Sequence, residues 1–529
     1  MTLTRQRTPR DPDEFPTGQL FVLAIVRLAE PIALTSIFPY AWALVKRFQV
    51  GEEDDASFYA GLLISSFSLS EALMGMYWGG LSDRIGRKPV LLLGCLGTML
   101  SMVMVGFASN IWLALLARVA GGLLNGNIGV IQTMVGELVT KPEHEPRAYS
   151  IMPFVWSIGT IIGPAIGGTF ADPNEAFPDL FPEGSLFARF PYLLPNLLCA
   201  LLLLISILLG YFLLDETHPD MQPRNMLPDD TFVSEETPLM ETSDAMKRPA
   251  VDLRDENYGT IKSRARVCAD VAGTKDGAAK RPSCSIMCKR IMAVVLALSI
   301  FSYHSMTYDH LLPIFFEDDR VQMPAEPHGT SALHLMYSPG GLGLSLRSVG
   351  MIMAVNGAIA LFMQAVVFPL MADRIGVRRL FLWVTMLHPV AYVLVPWLLY
   401  VPESLVYPAI YACLAVRNFF SILVYPLLLI LIKEATPSAS VLGRVNGLAA
   451  SAGATCRMIA PPVAGYLYAV GKRRDCTALA WYGSALVAMV GAVQCLSVKR
   501  DKAARLDEEA RTRSGGQGKQ VARASILEP

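Results

Sequence analysis

Gly79-Gly80-Leu81-Ser82-Asp83-Arg84-Ile85-Gly86-Arg87-Lys88 is a short polar loop between two long apolar runs, and its centre returns about 290 residues later as Asp373-Arg374-Ile375-Gly376. Each flanking run is long enough to cross a bilayer, whose hydrocarbon core needs roughly 20 helical residues. Working outward from the first copy of the loop, six spans are predicted near 19–47, 58–81, 89–108, 112–139, 149–171 and 190–214. Around the second copy, six more fall near 290–316, 347–371, 379–400, 405–432, 441–470 and 477–497. Other landmarks repeat in the same register: Arg118 returns as Arg417, and Gly163-Pro164-Ala165-Ile166-Gly167 is echoed by Pro461-Pro462-Val463-Ala464-Gly465. Two halves in register, related by an axis along the membrane normal, predict an all-α membrane protein of twelve helices in two six-helix bundles, with a site between them near the midplane.

Composition agrees. Of 529 residues, 53% are hydrophobic and only 17% charged, below the quarter or so of an ordinary soluble chain, and the mean hydropathy is +0.41. A formal net charge of zero gives no reason to expect a nucleic-acid partner. The nine cysteines are scattered, several of them inside apolar runs (Cys95, Cys199, Cys413, Cys456, Cys495), with no disulfide or zinc spacing. No asparagine stands in a glycosylation context.

The domain reading follows: an N-terminal tail at 1–18, a first bundle at 19–214, a linker at 215–288, a second bundle at 289–498 and a C-terminal tail from 499. The linker is rich in Asp, Glu, Lys, Arg, Pro and Ser and is too poor in apolar runs to build a core, so disorder is expected. Basic residues gather at Arg84, Arg87 and Lys88, at Lys141 and Arg147, at Arg374, Arg378 and Arg379, and after Lys499. They place these loops and both termini in the cytoplasm. The alternate loops are acidic, at Glu52 to Asp55, Asp172 to Glu183 and Glu317 to Asp319; Lys472, Arg473 and Arg474 dissent, falling on the outer side.

Polar residues inside spans are costly and mark function by default. Arg27 and Glu30 are three apart and can share a helix face. Arg118 lies deep in the fourth span, and Tyr308-Asp309-His310 and Arg417-Asn418 lie in the seventh and tenth. Asp309 is the preferred proton carrier and Glu30 the second, because a carboxylate in a poorly hydrated cavity can trade its proton near working pH. Arg27, Tyr40, Asn125, Gln132, Tyr308, Arg417 and Asn418 are the expected cavity residues, and Glu71 is read as structural. His304 and His310 are six apart, so a metal site there would need ligands from another helix; none is expected. No Walker A string, nucleophile elbow or H-E-x-x-H helix occurs, so neither ATP-driven pumping nor hydrolysis is supported, and no enzyme is expected.

The loop at Gly79 to Lys88 resembles, almost position for position, the signature loop of the major facilitator superfamily. The resemblance implies a conformational gate made by Gly79, Asp83, Arg84, Gly86, Arg87 and Lys88, with Asp373, Arg374 and Gly376 as its second copy, stabilising an outward-open state. Arg118-Val119-Ala120-Gly121-Gly122-Leu123-Leu124-Asn125-Gly126 matches the family's second signature and implies a part for Arg118 in proton coupling. Gly159, Gly163, Pro164, Gly167 and Gly168 match its antiporter signature, whose glycines allow close helix packing. Together with Arg27 to Tyr40 and Leu442 to Gly447, these strings resemble a fungal branch of the drug:proton antiporter group, akin to the plant zinc-induced facilitator-like carriers. The plant cysteine motif near the first outer loop has no counterpart, which counts against zinc-linked transport.

The expected function is therefore proton-coupled export of a small organic molecule, a drug-like compound or secondary metabolite, by a monomer that needs no cofactor. Its expected partners are that substrate, protons and the lipid bilayer. Two rivals stand: a nutrient uptake symporter or uniporter, and a membrane receptor without net flux. The plasma membrane is the favoured location. Glu235-Glu236-Thr237-Pro238-Leu239-Met240 resembles an acidic sorting signal that would direct the chain to a vacuolar membrane, and Cys284 and Cys288 are candidates for palmitoylation.

Overall fold

The computed structural model describes residues 15–139, 145–182, 184–218, 289–321, 338–436 and 439–498. Both tails beyond these limits and the linker from 219 to 288, with its sorting string and its two cysteines, lie outside the described residues. Among the described residues the chain runs as twelve helical rods. These are α1 (Thr17–Ser36, continued by Ala41–Phe48), α2 (Ala56–Ile85), α3 (Arg87–Gly106), α4 (Ile111–Leu124, resuming at Asn127–Leu138), α5 (Glu145–Phe170) and α6 (Leu193–Leu213). The second half holds α7 (Lys289–Glu317), α8 (Leu346–Phe362, continued through a π turn to Ile375), α9 (Val377–Val393), α10 (Val406–Ala435), α11 (Ala439–Lys472) and α12 (Ala478–Cys495).

The motif loop shows why glycine is needed where the sequence repeats. One residue, Gly86, separates α2 from α3, with φ +101°, and Gly376 separates the matching pair in the second half with φ +85°. Side-chain-bearing residues rarely adopt such a backbone, so a reversal this tight requires glycine.

Within the first half α1 packs on α5 and α6, α2 on α4, and α3 on α4 and α6; within the second, α7 packs on α10, α11 and α12, and α9 on α10 and α12. The halves meet along two seams, α2 against α11 and α5 against α8. Both seams tighten towards the side away from the basic loops. Gly61 lies on the backbone of Pro461, Gly465 on that of Ser57, and Gly168 on that of Gly350. The Ser57 hydroxyl donates to the Gly465 carbonyl at 2.8 Å, and Phe58 meets Tyr466 edge to face. At the basic-loop end, by contrast, Gly75, Gly79 and Gly80 of α2 and Gly447 of α11 face open space.

The apolar cores report the same geometry. At the outer end, Ile37, Tyr40, Leu63, Phe315, Tyr392 and Trp481 belong to one core that spans both halves. At the inner end each half keeps its own core, one around Leu23, Met134 and Leu203 and the other around Leu298, Leu427 and Cys495. Helices joined at one end and separated at the other enclose a gap that opens on the side of the basic loops.

Two spans differ from expectation. The fourth, predicted continuous over 112–139, breaks at Asn125-Gly126, where Trp78 Nε1 donates to the Leu123 carbonyl at 2.8 Å and Asn125 Oδ1 receives the Asn127 amide at 3.0 Å. Side chains there take over backbone pairing, which apolar periodicity cannot reveal. The first span is likewise interrupted at Ile37 to Tyr40 by a run of turns. The three rods least obvious as single apolar segments, α5, α9 and α11, are placed by packing on their neighbours.

Candidate functional site

The break in α4 carries the polar centre of the first half. Glu30, on α1 and 1% exposed, receives the Arg27 guanidinium, Asn125 Nδ2 at 2.9 Å and Asn127 Nδ2 at 2.9 Å. Asn125 also reaches Thr98 Oγ1 at 3.4 Å, and Asn127 lies on Gly94 of α3. Arg27 and Glu30 are brought together as their spacing requires. The cluster is closed, however: Asn125 is fully buried inside the packed bundle rather than on a cavity wall.

Arg118 is 3% exposed and stacks over the Phe67 ring of α2 at 4.5 Å. Its Nε donates to the Leu63 carbonyl at 3.3 Å, and its Nη1 has no hydrogen-bond partner. Tyr40 is also displaced from its expected place. It has no exposed surface, stacks on Tyr192 at 5.3 Å and belongs to the outer core rather than to a cavity. Gln132, on the inner part of α4, is exposed.

The second half builds the counterpart between α7, α8 and α10. Arg417 Nη2 reaches Asp309 Oδ1 at 2.5 Å, the Asp309 side chain being 42% exposed against 6% for Arg417. The guanidinium lies 4.8 Å from the centre of the Tyr308 ring and donates to Asn418 Oδ1 at 3.2 Å, while Asn418 donates to Asn356 Oδ1 at 2.8 Å. Tyr308 and Asn418 are fully buried, so both support the ion pair rather than line a cavity. Asn356 and Ser305, the latter 3.4 Å from Arg417, were missed. The signal for Asn356 is an asparagine in mid-span on a rod that packs on α10. Behind this cluster His304 Nδ1 bonds the Tyr392 hydroxyl at 2.6 Å and lies edge to face with His388. His310 is buried elsewhere on α7 with neither ring nitrogen partnered. Among the described residues no group of three or more His, Cys, Asp or Glu side chains is placed to hold a metal ion.

At the motif loop Arg87 pairs with Asp83, with Ser82 Oγ at 2.7 Å and with Glu137 of α4 at 3.0 Å. Glu216 receives the amides of Arg87 at 2.9 Å and Lys88 at 3.1 Å, and Lys88 Nζ donates to the Leu214 carbonyl at 2.8 Å. Among the described residues these partners belong to the first half or to the few residues that follow it, while Arg84 and Arg374 are exposed. The side chain of Asp373 lies outside the described ones.

The glycine-rich string on α5 is a joint between three rods. Gly159, Gly163 and Gly167 press on Pro31, Thr35 and Ser36 of α1, and Gly168 presses on Gly350 of α8. Thr35 Oγ1 spans the joint, donating to the Pro31 carbonyl at 2.7 Å and the Gly159 carbonyl at 3.0 Å. Pro164 supplies a carbonyl that lies against Gly350.

The dissenting basic run at 472–474 now has a physical reason. Arg473 bridges the halves to Glu52 at 2.9 Å and Asp55 at 2.7 Å, and Lys472 reaches the buried Asp318 at 2.6 Å, which also accepts from Tyr468 at 2.9 Å. Acids at this end of the helices balance two of the three bases. Exposed pairs are worth roughly 0.2–1 kcal/mol each. Arg473→Ala is therefore expected to raise the labelling rate of a cysteine placed at Ser57 by an impermeant maleimide roughly two- to fivefold. An unchanged rate would mean that the clamp does not bias opening.

The sequence model of the Major Facilitator Superfamily matches residues 23–320 and again 292–527. The "Major facilitator superfamily multidrug transporter mfsB" of Aspergillus fumigatus is 36% identical over 96% of this chain and 88% of its own length. "Protein ZINC INDUCED FACILITATOR 1" of Arabidopsis thaliana is 25% identical over 87% of this chain and 86% of its own. Among solved structures, a D-xylose-proton symporter superposes with a TM-score of 0.62 at 14% identity, covering 91% of this chain and 97% of that one.

Proposed function

The chain belongs to the major facilitator superfamily as an integral multi-pass membrane transporter, and from that premise we propose that it exports small organic compounds in exchange for protons by alternating access. The observation that carries this reading is the ion pair of Asp309 and Arg417, at 2.5 Å, with the carboxylate 42% exposed and the guanidinium buried. A carboxylate partly open to water and held by a fixed cation can exchange its proton with the gap and answer to a ligand that competes for the cation. Glu30 lacks that freedom: it is enclosed by Arg27, Asn125 and Asn127, and its role in this reading is to anchor α1 to the broken α4.

The rocking elements fit the same reading. One outer core spans the halves while their inner cores are separate, and the α5 glycines form a bare backbone joint against α1 and α8. On this view the motif loop, its ion pairs confined to the first half, is unlatched in the inward-open arrangement. Export direction is supported by the antiporter string and by the multidrug name of the Aspergillus relative. One proton moving down about 100 mV supplies about 2.3 kcal/mol, and each pH unit adds about 1.4 kcal/mol, enough for gradients of tens- to a thousandfold. The chain acts as a monomer at the plasma membrane in this reading.

The test is flux in purified proteoliposomes under an inside-acid gradient, with internal pH followed while a panel of organic compounds is added outside. Compound-dependent alkalinisation is the expected result. Uptake that runs with the proton, or flux indifferent to the gradient, would replace exchange by symport or uniport, and no flux at all would favour the receptor.

A further inference from the structure

Charge near the membrane midplane does not balance within the protein. Away from the helix ends, the spans carry four guanidiniums, Arg27, Arg118, Arg417 and Arg457, against three carboxylates, Glu30, Glu71 and Asp309. Arg27 is taken by Glu30 and Arg417 by Asp309. Glu71, Arg118 and Arg457 remain, and among the described residues none of them forms an ion pair.

Their placement puts them in one site. Leu63, Phe67 and Glu71 lie at successive fours on α2 and so share a face, the one that packs on α4. Gly122 of α4 presses on the backbone of Phe67 and Glu71, and Arg118, one turn along α4, stacks on Phe67. Arg118 could have turned towards Glu71. Instead its Nε is held by the Leu63 carbonyl and its buried Nη1 has no partner, and Oε1 of Glu71 is likewise buried without one. From across the gap comes Arg457. It sits one turn inward of Pro461, where α11 leaves its contact with Gly61 of α2, and is exposed. The charges that act on Glu71 are Arg118 of α4, Arg27 and Glu30 of α1 and Arg457 of α11.

An unpaired cation at this depth is stable only beside water or an incoming partner; Arg118 lies on the α4 face against Phe67 and Glu71, and Arg457, whose Nη1 lies beside Gly453 of its own helix, acts on the same carboxylate from α11. We propose that Arg118 and Arg457 receive the anionic group of an organic acid, one from each half, and that Glu71 is the internal carboxylate with which that acid competes. The substrate class is thereby narrowed to small organic compounds bearing a carboxylate or a comparable anion. Glu71, structural by sequence reading, becomes a specificity determinant. Because Arg118 belongs to the first half and Arg457 to the second, an anion held by both bridges the halves, and protonation of Glu71 favours its binding. This inference deepens the export reading and rests on it for the direction of transport.

The test uses the full-length protein in nanodiscs, with aromatic carboxylates (benzoate, naphthoate and carboxyfluorescein) and the methyl ester of each, bound at equilibrium without a proton gradient. The acids are expected to bind more tightly than their esters. Arg457→Gln should weaken acid binding roughly tenfold, weaken ester binding less than acid binding and be partly rescued by Arg457→Lys; Arg457 is exposed, so its variants keep the fold. Glu71→Gln should tighten acid binding several-fold and flatten its dependence on pH, which removal of a merely structural carboxylate would not do. Equal binding of acids and esters, indifference to Arg457→Gln, or weaker acid binding in Glu71→Gln would overturn the proposal. Acid binding that persists where proton exchange is absent would sink the export reading alone. Proton-coupled flux with no preference for acids would sink this one alone.

Discussion

Asp309→Asn is expected to lower compound-driven proton flux roughly hundredfold or more, the scale at which losing an obligatory proton-transfer group is felt, while compound counterflow without a gradient persists. The amide keeps the shape of the side chain and can still accept from Arg417, whose Nη2 now lies 2.5 Å from the carboxylate, but it has no proton to release. Arg417 does not become a bare buried charge, because the Tyr308 ring lies 4.8 Å away and Asn418 accepts at 3.2 Å. The variant should therefore fold, and its transport cycle should run uncoupled. Asp309→Glu, which restores the titrating group one methylene further out, should recover part of the coupling. If Asp309→Asn exchanges protons at the wild-type rate, the carrier lies elsewhere, and Glu71, with a buried and unpartnered oxygen, is the next to test.

The fold was legible because hydrophobic length and an internal repeat are both properties of the chain alone. Asp83 to Gly86 and Asp373 to Gly376 mark the same reversal in each half, and two glycines with positive φ make it. The break in α4 was not legible, since it depends on Trp78 and Asn125 meeting backbone groups that apolar periodicity treats as helical. Among site residues, local pairs came through: Arg27 with Glu30 is a contact three residues apart on one helix. Arg417 with Asp309 joins α7 to α10 across 108 residues and had been named only as two separate candidates. Exposure was the harder quantity. Tyr40, Tyr308, Asn125 and Asn418 are polar and lie within spans, yet all are buried in packed bundle, because a sequence shows which residues can satisfy a polar group and not which wall they face. Glu71, read as structural, raises the converse difficulty. Its buried Oε1 has no hydrogen-bond partner, and a missing partner is visible only once the chain is folded.

Glu30→Ala is expected to destabilise the first half by about 3–5 kcal/mol, the range for breaking a buried ion pair from one side, read as earlier thermal unfolding of the detergent-purified protein. The loss is large because three groups depend on one carboxylate. Arg27, 9% exposed, would keep a charge with no counter-ion, and the Nδ2 groups of Asn125 and Asn127 would each lose an acceptor at 2.9 Å. Those two asparagines flank the break at Gly126, where α4 has given up backbone pairing, so the same change should loosen the hold of α1 on the inner part of α4. Removing both charges with Arg27→Leu and Glu30→Leu should recover only part of the stability. The charge cost disappears, but the two buried amides lose their carboxylate acceptor and keep only the longer contacts to Thr98 Oγ1 at 3.4 Å and Cys95 Sγ at 3.7 Å, at roughly 1–3 kcal/mol each, somewhat less where the membrane-unfolded state finds them other partners. A double variant as stable as the wild type would show that the asparagines find new acceptors and that the cluster is not what fixes the break. A double variant no better than Glu30→Ala would place the whole cost in the amides and none in the stranded guanidinium.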